Sequence, residues 1–419
     1  MGRRRYPLLE HPGYVRFWTA DAVSMAGSAF TALAVPIIAK LTLHVSTTEL
    51  GILRAAAWMP YPLFGLLVGV YVDRHRRRPL LIGSDFARAV VLGILPLAAA
   101  LDALTYPLLV CVTLAFGSLS IVYDAAHQSF PPVLVPKPLL TAAYARLEQS
   151  AAVAQSAGTP LAGVVIGIIG APLAILLDAI SYLVSAILLS TVRTLEPEVA
   201  LGKDQPRHLR REIREGLNWV YRNPAFGPVT LTSHLWFIGQ GLLTTVYLAY
   251  VLGFDHGGAA ARSSGAVVLG VTLGFTGIGS VLGAGASSWY GRRFGVGPGI
   301  IVCRWLSPLA YLTAPLAGDS LGGIALLCAG QLLFGISLGL DGPIEMAYRQ
   351  SITPAGLLGR MNATTRSLNR AMIVVGAPLG GILADHYGIH LALWVGVTIM
   401  VIQALWLNLS RFRHARLPD

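Results

Sequence analysis

Long apolar runs alternate with short polar or glycine- and proline-containing stretches along the whole chain. A helix needs about 20 mostly apolar residues to cross the hydrocarbon core of a bilayer, so each run predicts one transmembrane helix. The runs cover residues 15–43, 49–72, 80–101, 105–127, 139–169, 171–192, 217–252, 265–290, 297–317, 320–346, 357–385 and 388–411. We therefore expect an all-α integral membrane protein with twelve transmembrane helices.

Charged residues are sparse, and they are unevenly placed. Only 12% of the 419 residues are charged and 54% are hydrophobic, whereas an ordinary soluble domain is about 25% charged. The cations concentrate in every second connection, at Arg74, Arg76, Arg77, Arg78, Lys137, the stretch from Arg193 to Arg214, Arg292, Arg293, Arg349, Arg360, Arg411, Arg413 and Arg416. Because cytoplasmic loops carry the excess of Lys and Arg, both termini are predicted to be cytoplasmic, in a multi-pass protein of the inner membrane. The net charge of +11 then reflects membrane topology and lipid contact, and it does not indicate a nucleic-acid partner.

Several kinds of catalytic or cofactor site are not supported by the sequence. The three cysteines, Cys111, Cys303 and Cys328, lie singly in apolar runs, so we expect no metal site. No GxxxxGK[ST] loop is present, so ATP hydrolysis by a P-loop is excluded. The segment Gly335 to Gly339 matches G-x-S-x-G but lies inside an apolar run, where the required strand-to-helix turn cannot form. We expect no cofactor, and any transport would be secondary.

The two halves of the chain repeat one another. Gln128–Pro132 (QSFPP) recurs as Gln350–Pro354 (QSITP), and Gly158–Gly163 (GTPLAG) recurs as Gly376–Gly381 (GAPLGG), at offsets of 222 and 218 residues. The sequence therefore predicts two pseudo-symmetric six-helix halves, 1–193 and 216–419, joined by a cytoplasmic linker at 194–215. Parallel repeats of this kind are related by an axis along the membrane normal, with a binding site between them near the midplane. That architecture is typical of a transporter.

The connection between the second and third helices carries the most specific motif, Gly69-Val-Tyr-Val-Asp73-Arg74-His75-Arg76-Arg77-Arg78. It resembles the signature G-x-x-x-D-R-x-G-R-R of the major facilitator superfamily, with Arg76 replacing the second glycine. Phe17-Trp18, Ser24, Gly27, Leu134-Val135 and Asp178 resemble the bacterial subgroup of siderophore and macrolide exporters. The resemblance covers essentially the whole chain and implies the twelve-helix major facilitator fold.

The resemblance also implies a gate at the cytoplasmic side. In the family, the loop aspartate and the second arginine act with an acid at the end of the fourth helix, and the matching positions are Asp73, Arg77 and Asp124. A solvated Asp124 at the helix end is the alternative. The predicted gating motif comprises Gly69, Asp73, Arg74, Arg77, Arg78 and Asp124.

A repeated glycine–proline box resembles the antiporter signature of drug exporters, although Thr159 separates Gly158 from Pro160. Proline bends a helix and small residues allow close crossings, so helix packing explains the box equally well. The predicted packing residues are Gly158, Pro160, Gly163, Gly376, Pro378 and Gly381.

Polar residues at helical spacing form stripes on the first, fourth, seventh and tenth helices. An intramembrane polar stripe must face protein or water, and these four helices line the central cavity in the family that the chain resembles. For any single Ser or Thr, hydrogen bonding between helices is an equally good explanation. The predicted cavity residues are Ser24, Ser28, Thr31, Thr113, Ser120, Phe237, Gln240, Thr244, Tyr247 and Gln331.

Five acids are deep or isolated enough to carry protons. They are Asp21, Asp341 and Glu345, with Glu148 and Asp178 in reserve. The other intramembrane ions have simpler explanations, because Asp85 and Arg88 are three residues apart and can neutralise each other. Arg304 and Arg54 are expected to extend to the inner and outer surfaces.

The resulting hypothesis is a monomeric secondary transporter that couples protons to the export of an amphipathic small molecule, such as an antibiotic, a siderophore or another metabolite. The alternatives are an uptake transporter of the same fold and an intramembrane enzyme that modifies lipid. The paired halves argue against the enzyme because catalysis does not require them. A passive pore is disfavoured because the outer connections carry no ring of charges.

Overall fold

The computed structural model describes residues 7–194, 196, 209–224, 226–254, 259–354 and 357–415, and within these ranges the regular structure is helical. The helices before the predicted linker are α1 (Pro12–Ile37), α2 (Thr47–Trp58), α3 (Pro60–Asp73), α4 (Arg77–Ala100), α5 (Tyr106–Ser129), α6 (Pro131–Leu134), α7 (Leu140–Ile169) and α8 (Ala171–Ser190). Those after it are α9 (Leu209–Arg222), α10 (Gly227–Leu252), α11 (Ala259–Phe294), α12 (Val296–Tyr311), α13 (Thr313–Leu316), α14 (Leu321–Ile352), α15 (Leu358–Tyr387) and α16 (Ile389–Leu409).

Eleven of the twelve predicted spans correspond to helical segments that are long and apolar enough to cross a membrane. The second predicted span, 49–72, is divided into α2 and α3 at Pro60. Proline lacks the backbone N–H that would continue the helical hydrogen bonds, while Met59 keeps helical dihedral angles (φ −54°, ψ −37°). The two helices thus follow one another as a single interrupted segment, and neither alone is long enough to count among the eleven candidate spans.

The seventh span begins later than the hydropathy pattern predicts. The structure starts α10 at Gly227, and residues 209–222 form the separate, charge-rich helix α9. Asn223 and Pro224 interrupt the helix between them because proline disfavours a helical conformation in the residue before it. Most of the predicted linker, and the basic residue Arg416, lie outside the described residues.

The helices pack mainly within two groups, which we call the first set (α1–α8) and the second set (α9–α16). In the first set α8 lies between α1 and α4, and α5 packs against α4. In the second set α14 lies between α11 and α12, and α10 packs against α15 and α16. The sets meet chiefly where α7 crosses α11 and where α2 crosses α15.

Small residues allow these crossings between the sets to be close. A Cβ atom added to Gly163 of α7 would lie 3.0 Å from the Cα of Gly270 in α11, and Gly274 lies against the ring of Pro160. The second copy of the box makes the equivalent contact, since Gly51 of α2 lies against the backbone of Ala377 and Pro378. Both boxes therefore contribute to the contact between the sets, as expected for helix packing.

The other box glycines pack as well. Gly158 meets the side chain of Ala29 in α1, Gly376 meets the backbone of Ile238 in α10, and Gly381 meets Thr47 at the start of α2. The contacts between α2 and the carboxyl half of α15 lie at the end of the bundle where α2 begins and α15 ends. We call this the closed end. The chain enters α1 and leaves α16 at the opposite end, which we call the terminal end.

Candidate functional site

A cavity of about 430 Å³ lies among α1, α2, the start of α3, α4, α5, α8 and α10. Four of the predicted cavity residues contribute hydroxyl groups to its lining: Ser28, Thr31, Thr113 and Ser120. The rest of the wall is largely aromatic and aliphatic, as in Trp58, Phe116 and Leu92. Apolar walls with a few polar groups are typical of sites for small organic molecules.

Two arginines reach this cavity, and they differ in their surroundings. The guanidinium of Arg88 pairs with Asp85 on the same helix, as the spacing predicts, and lies 3.9 Å from the ring centroid of Tyr123. Ser185 donates a hydrogen bond of 2.6 Å to Asp85. Arg54 has no such arrangement, because no carboxylate of the described residues lies within 4.0 Å of its nitrogen atoms. The expectation that Arg54 extends to the outer surface is wrong, since the side chain lines the cavity.

A smaller cavity of about 210 Å³ adjoins the first and shares Ser28, Arg88 and Asp124 with it. Its lining also includes two further carboxylates, Asp21 and Glu148, and the imidazole of His127. The Nε2 of His127 lies 2.9 Å from Oδ1 of Asp21. The second carboxylate oxygen of Asp21 is buried and has no hydrogen-bond partner in the described part of the chain.

Aromatic side chains fix the position of His127. The ring of Phe17 lies 4.9 Å from the imidazole centroid, and the ring of Tyr123 stacks at 5.6 Å. On α5, His127 follows Thr113, Ser120 and Asp124 at helical spacing and so lies on the same polar stripe, but it was not among the residues predicted to carry protons. Its position three residues after Asp124 on that stripe is the signal that could have identified it.

The predicted acids of the second set lie in a separate network. Arg304 of α12 approaches Asp341 at 3.3 Å and Glu345 at 2.7 Å, and Arg349 pairs with Glu345. Only 4% of the Arg304 side chain is exposed, so the expectation that it reaches the inner surface is wrong. The acids on the neighbouring helix α14 hold it inside the set. Neither Asp341 nor Glu345 lines either of the cavities described above.

Other predicted residues also lie away from these cavities. On α10 the large cavity is lined by Thr245 and Leu248, and not by Phe237, Gln240, Thr244 or Tyr247. Adjacent helical residues point about 100° apart, so a shift of one residue changes the face that is presented. Gln331 accepts a hydrogen bond of 2.7 Å from Thr276 within the second set. Ser24 lines only the smaller cavity.

Asp178 is fully buried on α8 and lines neither cavity. The hydroxyl of Ser181, three residues later, donates a hydrogen bond of 3.1 Å to its Oδ1.

The gating motif forms the turn between α3 and α4. The backbone N–H groups of Arg77 and Arg78 donate to Glu196, at 2.6 and 2.7 Å. Arg78 also donates from its side chain to the carbonyl groups of Leu189 and Ser190 at the end of α8. Glu196 thus caps the start of α4, a contact that sequence reasoning missed because the residue lies in the linker.

Among the described side chains of the predicted gate, Arg77 and Asp124 form no ion pair in this conformation. Asp124 accepts a hydrogen bond of 2.6 Å from the hydroxyl of Tyr61. Arg74 is exposed, and a Cβ on Gly69 would meet nothing within 4 Å. The side chain of Asp73 lies outside the described residues. The gate therefore stays a prediction for the conformation in which the terminal end closes.

Relatives in sequence are transport proteins. The chain is 23% identical to macrolide efflux protein A of Streptococcus pyogenes over 400 residues, which cover 93% of this chain and 94% of that protein. It is 24% identical to YfiS of Bacillus subtilis, an uncharacterised transporter of the major facilitator type, over 94% of this chain and 92% of that one.

Solved transporters share the fold. The nucleoside transporter NupG superposes with a TM-score of 0.75 at 10% identity, covering 94% of this chain and 98% of that one. A bacterial homologue of the iron transporter ferroportin, in an inward-facing state, gives 0.73 at 14% identity, covering 97% and 100%. Residues 6–417 match the profile of a family described as transmembrane secretion effectors. The chain therefore belongs to this family of the major facilitator superfamily, whose members are transporters and not enzymes.

Proposed function

We propose that this protein is a proton-coupled secondary transporter that exports an amphipathic small molecule by alternating access. The observation that carries the proposal is the adjacency of the two cavities. One has the volume and the apolar wall of a small-molecule site, the other contains Asp21, His127 and Glu148, and both include Asp124. Movement of a proton among these acids can therefore alter the charge beside the substrate.

The helix contacts support a conformation that loads from the terminal end. The sets touch through glycines at the closed end, where Gly51 meets Ala377 and Gly163 meets Gly270. With both termini in the cytoplasm, as the loop charges predict, this conformation is inward-facing. The inner gate of Asp73, Arg77 and Asp124 then belongs to the opposite, outward-open state.

The proton site is proposed to lie in the first set, at Asp21, with His127 as its partner and Glu148 on the same cavity. An oxygen of Asp21 without a partner can accept a proton without breaking a protein hydrogen bond. Asp341 also has an oxygen without a hydrogen-bond partner, but in the second set Asp341 and Glu345 face Arg304 and Arg349, and these four charges balance. Protonating an acid of a balanced buried network leaves a charge uncompensated, so we rank Asp21 ahead of Asp341.

The test measures proton movement in proteoliposomes with an acid interior, reported by a dye that is quenched by the pH gradient. A panel of a macrolide, an aromatic carboxylate and an aromatic amine is added from outside. We expect at least one probe to release protons and to accumulate, and Asp21→Asn to abolish the coupled proton flux. The matched control is Asp102→Asn, in the exposed turn after α4.

Two results would contradict the proposal. If no probe moves protons through the native protein, proton-coupled export is wrong. If Asp21→Asn supports the same flux as the native protein, the coupling site lies elsewhere, and Glu148→Gln becomes the next variant to measure.

A further inference from the structure

Arg54 and Arg370 bring positive charge to the large cavity from the two helix sets. Arg54, on α2, lines the cavity. Arg370, on α15, lies with its guanidinium carbon 4.0 Å from the ring centroid of Trp58 and 5.9 Å from that of Tyr61, and both rings line the cavity. We propose that the cavity binds an organic anion, a carboxylate or another oxyanion on an apolar body, with Arg54 as its principal binding residue. This inference rests on the transport function proposed above.

The first argument is the missing counter-charge. In the part of the chain that the structure describes, no carboxylate oxygen lies within 4.0 Å of a nitrogen of Arg54 or of Arg370. The two arginines that are almost fully buried inside the helix sets are paired, Arg88 with Asp85 and Arg304 with two acids of α14. Arg54 and Arg370 are half-buried and have no such partner, and a charge that is partly removed from water is unfavourable without one. An anionic ligand would supply the partner that the chain does not.

The second argument is the balance of charge around the cavity. Asp85 already neutralises Arg88, and Asp124 is the one acid of the lining. Asp124 is engaged by the hydroxyl of Tyr61 at 2.6 Å. Arg54 and Arg370 are two cations against the single carboxylate of Asp124, whose charge the hydroxyl does not cancel, so one positive charge is in excess near Trp58. A cationic substrate would have to overcome this field.

The third argument concerns how an anion would act on the two sets. Trp58 follows Arg54 by four residues, so the side chain on which Arg370 packs starts one helical turn from Arg54, on the same face of α2. The two guanidinium groups are close enough to repel one another. They are carried by α2 and α15, which touch at Gly51 and Ala377. An anion between them removes this repulsion and links substrate binding to the contact between the sets.

The walls define the rest of the ligand. Trp58, Phe116 and Tyr182 present aromatic surface, and leucines of α2 and α4 complete the apolar lining. Guanidinium groups bind oxyanions through two parallel hydrogen bonds, and aromatic walls favour a flat apolar body. The chemical class is therefore an amphipathic molecule with one oxyanion head group.

The experiment compares probes that differ in charge but hardly in shape. Binding of 1-naphthoate, 1-naphthamide and 1-naphthylmethylamine to the purified full-length protein in lipid nanodiscs is measured by calorimetry, without a pH gradient. We expect the native protein to bind the carboxylate about 10-fold or more tightly than the amide, as for a charge-assisted hydrogen bond. The amine is expected to bind most weakly.

Variants assign the preference to Arg54. Arg54→Gln should remove the preference for the carboxylate, and Arg54→Lys, which keeps the charge, should retain part of it. Arg292→Gln, an exposed arginine at the end of α11, is the matched control and should behave as the native protein. The Arg54→Lys measurement and a thermal unfolding curve separate loss of the binding site from loss of the fold.

Three results would overturn the inference: native protein that binds none of the probes, native protein that binds the amide or the amine at least as tightly as the carboxylate, or Arg54→Gln protein that keeps the full preference. The assay uses no proton gradient and does not involve Asp21. If the proton-coupling test fails, the measured preference for the carboxylate is unaffected. If the preference for the carboxylate is absent, the proton-coupling test is likewise unaffected.

Discussion

Asp385, near the end of α15, holds the start of α2 and so connects the two helix sets at the closed end. Its carboxylate oxygens accept hydrogen bonds from the backbone N–H groups of Thr47, at 3.0 Å, and Thr48, at 2.7 Å. These groups belong to the first turn of α2, where backbone N–H groups lack partners within the helix. When the closed end opens, the sets separate and these bonds are lost. Asp385→Ala should therefore destabilise the closed end relative to the open form.

The size of the effect follows from the geometry. Losing a side chain that caps a helix costs about 0.5–2 kcal/mol, and an acid at a helix N-terminus contributes about 0.3–1 kcal/mol. The site is partly exposed, so we take a total of about 1–2 kcal/mol. A change of that size shifts a two-state ratio by a factor of about 5–30. Asp385→Asn keeps one acceptor oxygen and should give a smaller shift.

The assay is a distance measurement between spin labels across the closed end, at Ala103→Cys and Asp319→Cys, both exposed positions in turns. The three native cysteines are first replaced. Glu49→Ala is the matched control, because Glu49 also caps the start of α2, by accepting a 2.8 Å bond from Ser46 in its own set. Removing Glu49 should weaken α2 equally in both conformations. Unchanged distances in Asp385→Ala, or an equal shift in Glu49→Ala, would refute the reasoning.

Two further predictions concern packing and charge. Gly163→Leu should open the closed end and reduce transport at least about 10-fold, because even a Cβ at this position would lie 3.0 Å from Gly270. Gly83→Ala is the control and should leave both the closed end and transport unchanged, because its Cβ would meet nothing within 4 Å. The same spin labels report this, and native-like distances in Gly163→Leu would contradict it. Arg304→Gln should lower the free energy of unfolding by about 3–5 kcal/mol because Asp341 loses its partner, and adding Asp341→Asn should restore part of it. Thermal unfolding in detergent measures both, and an unchanged midpoint in Arg304→Gln would rule the network out as a stabilising element.

Hydropathy predicted the helices well because the bilayer imposes a strong physical constraint. Hydrocarbon offers no partners to the backbone, so each long apolar run must form a helix that satisfies its own hydrogen bonds. The failures have local causes. Pro60 divides the second span, and the Asn223-Pro224 pair separates α9 from α10. Both prolines can be read from the sequence. Whether a proline in a long apolar or amphipathic stretch ends the helix or only bends it cannot be predicted from composition.

The orientation of α10 shows what a single helix cannot reveal about the site. Its polar residues include both Thr244 and Thr245, so two adjacent faces carry similar chemistry. The structure presents Thr245 to the large cavity, and Tyr247, three residues after Thr244, is buried elsewhere. The choice depends on how α10 packs against α15 and α16, which is tertiary information. On α1 and α5 the polar face is less ambiguous, and the predicted Ser28, Thr31 and Ser120 line the cavity.

Long cationic side chains were the least predictable part of the site. An arginine within an apolar run can extend to the membrane surface or pair with an acid inside the protein. The sequence of its own helix often does not show which of the two occurs. Arg304 stays inside the protein because it pairs with Asp341 and Glu345 on α14. Arg88 stays inside because it pairs with Asp85 on its own helix. Arg54 has neither kind of partner among the described residues, so its burial in a cavity points to a ligand.

The repeat of the chain gives these differences a common explanation. An offset of 218 residues places Glu345 at the position of His127, and Arg304 stands within two residues of the counterpart of Arg88. In the second set the arginine is neutralised by acids of the neighbouring helix, which fixes their charge. In the first set Asp85 neutralises the arginine from its own helix, which leaves His127 facing Asp21 at 2.9 Å. The two repeated parts of the sequence therefore have different electrostatics, and the set in which we propose the proton site is the one that supplies most of the lining of both cavities.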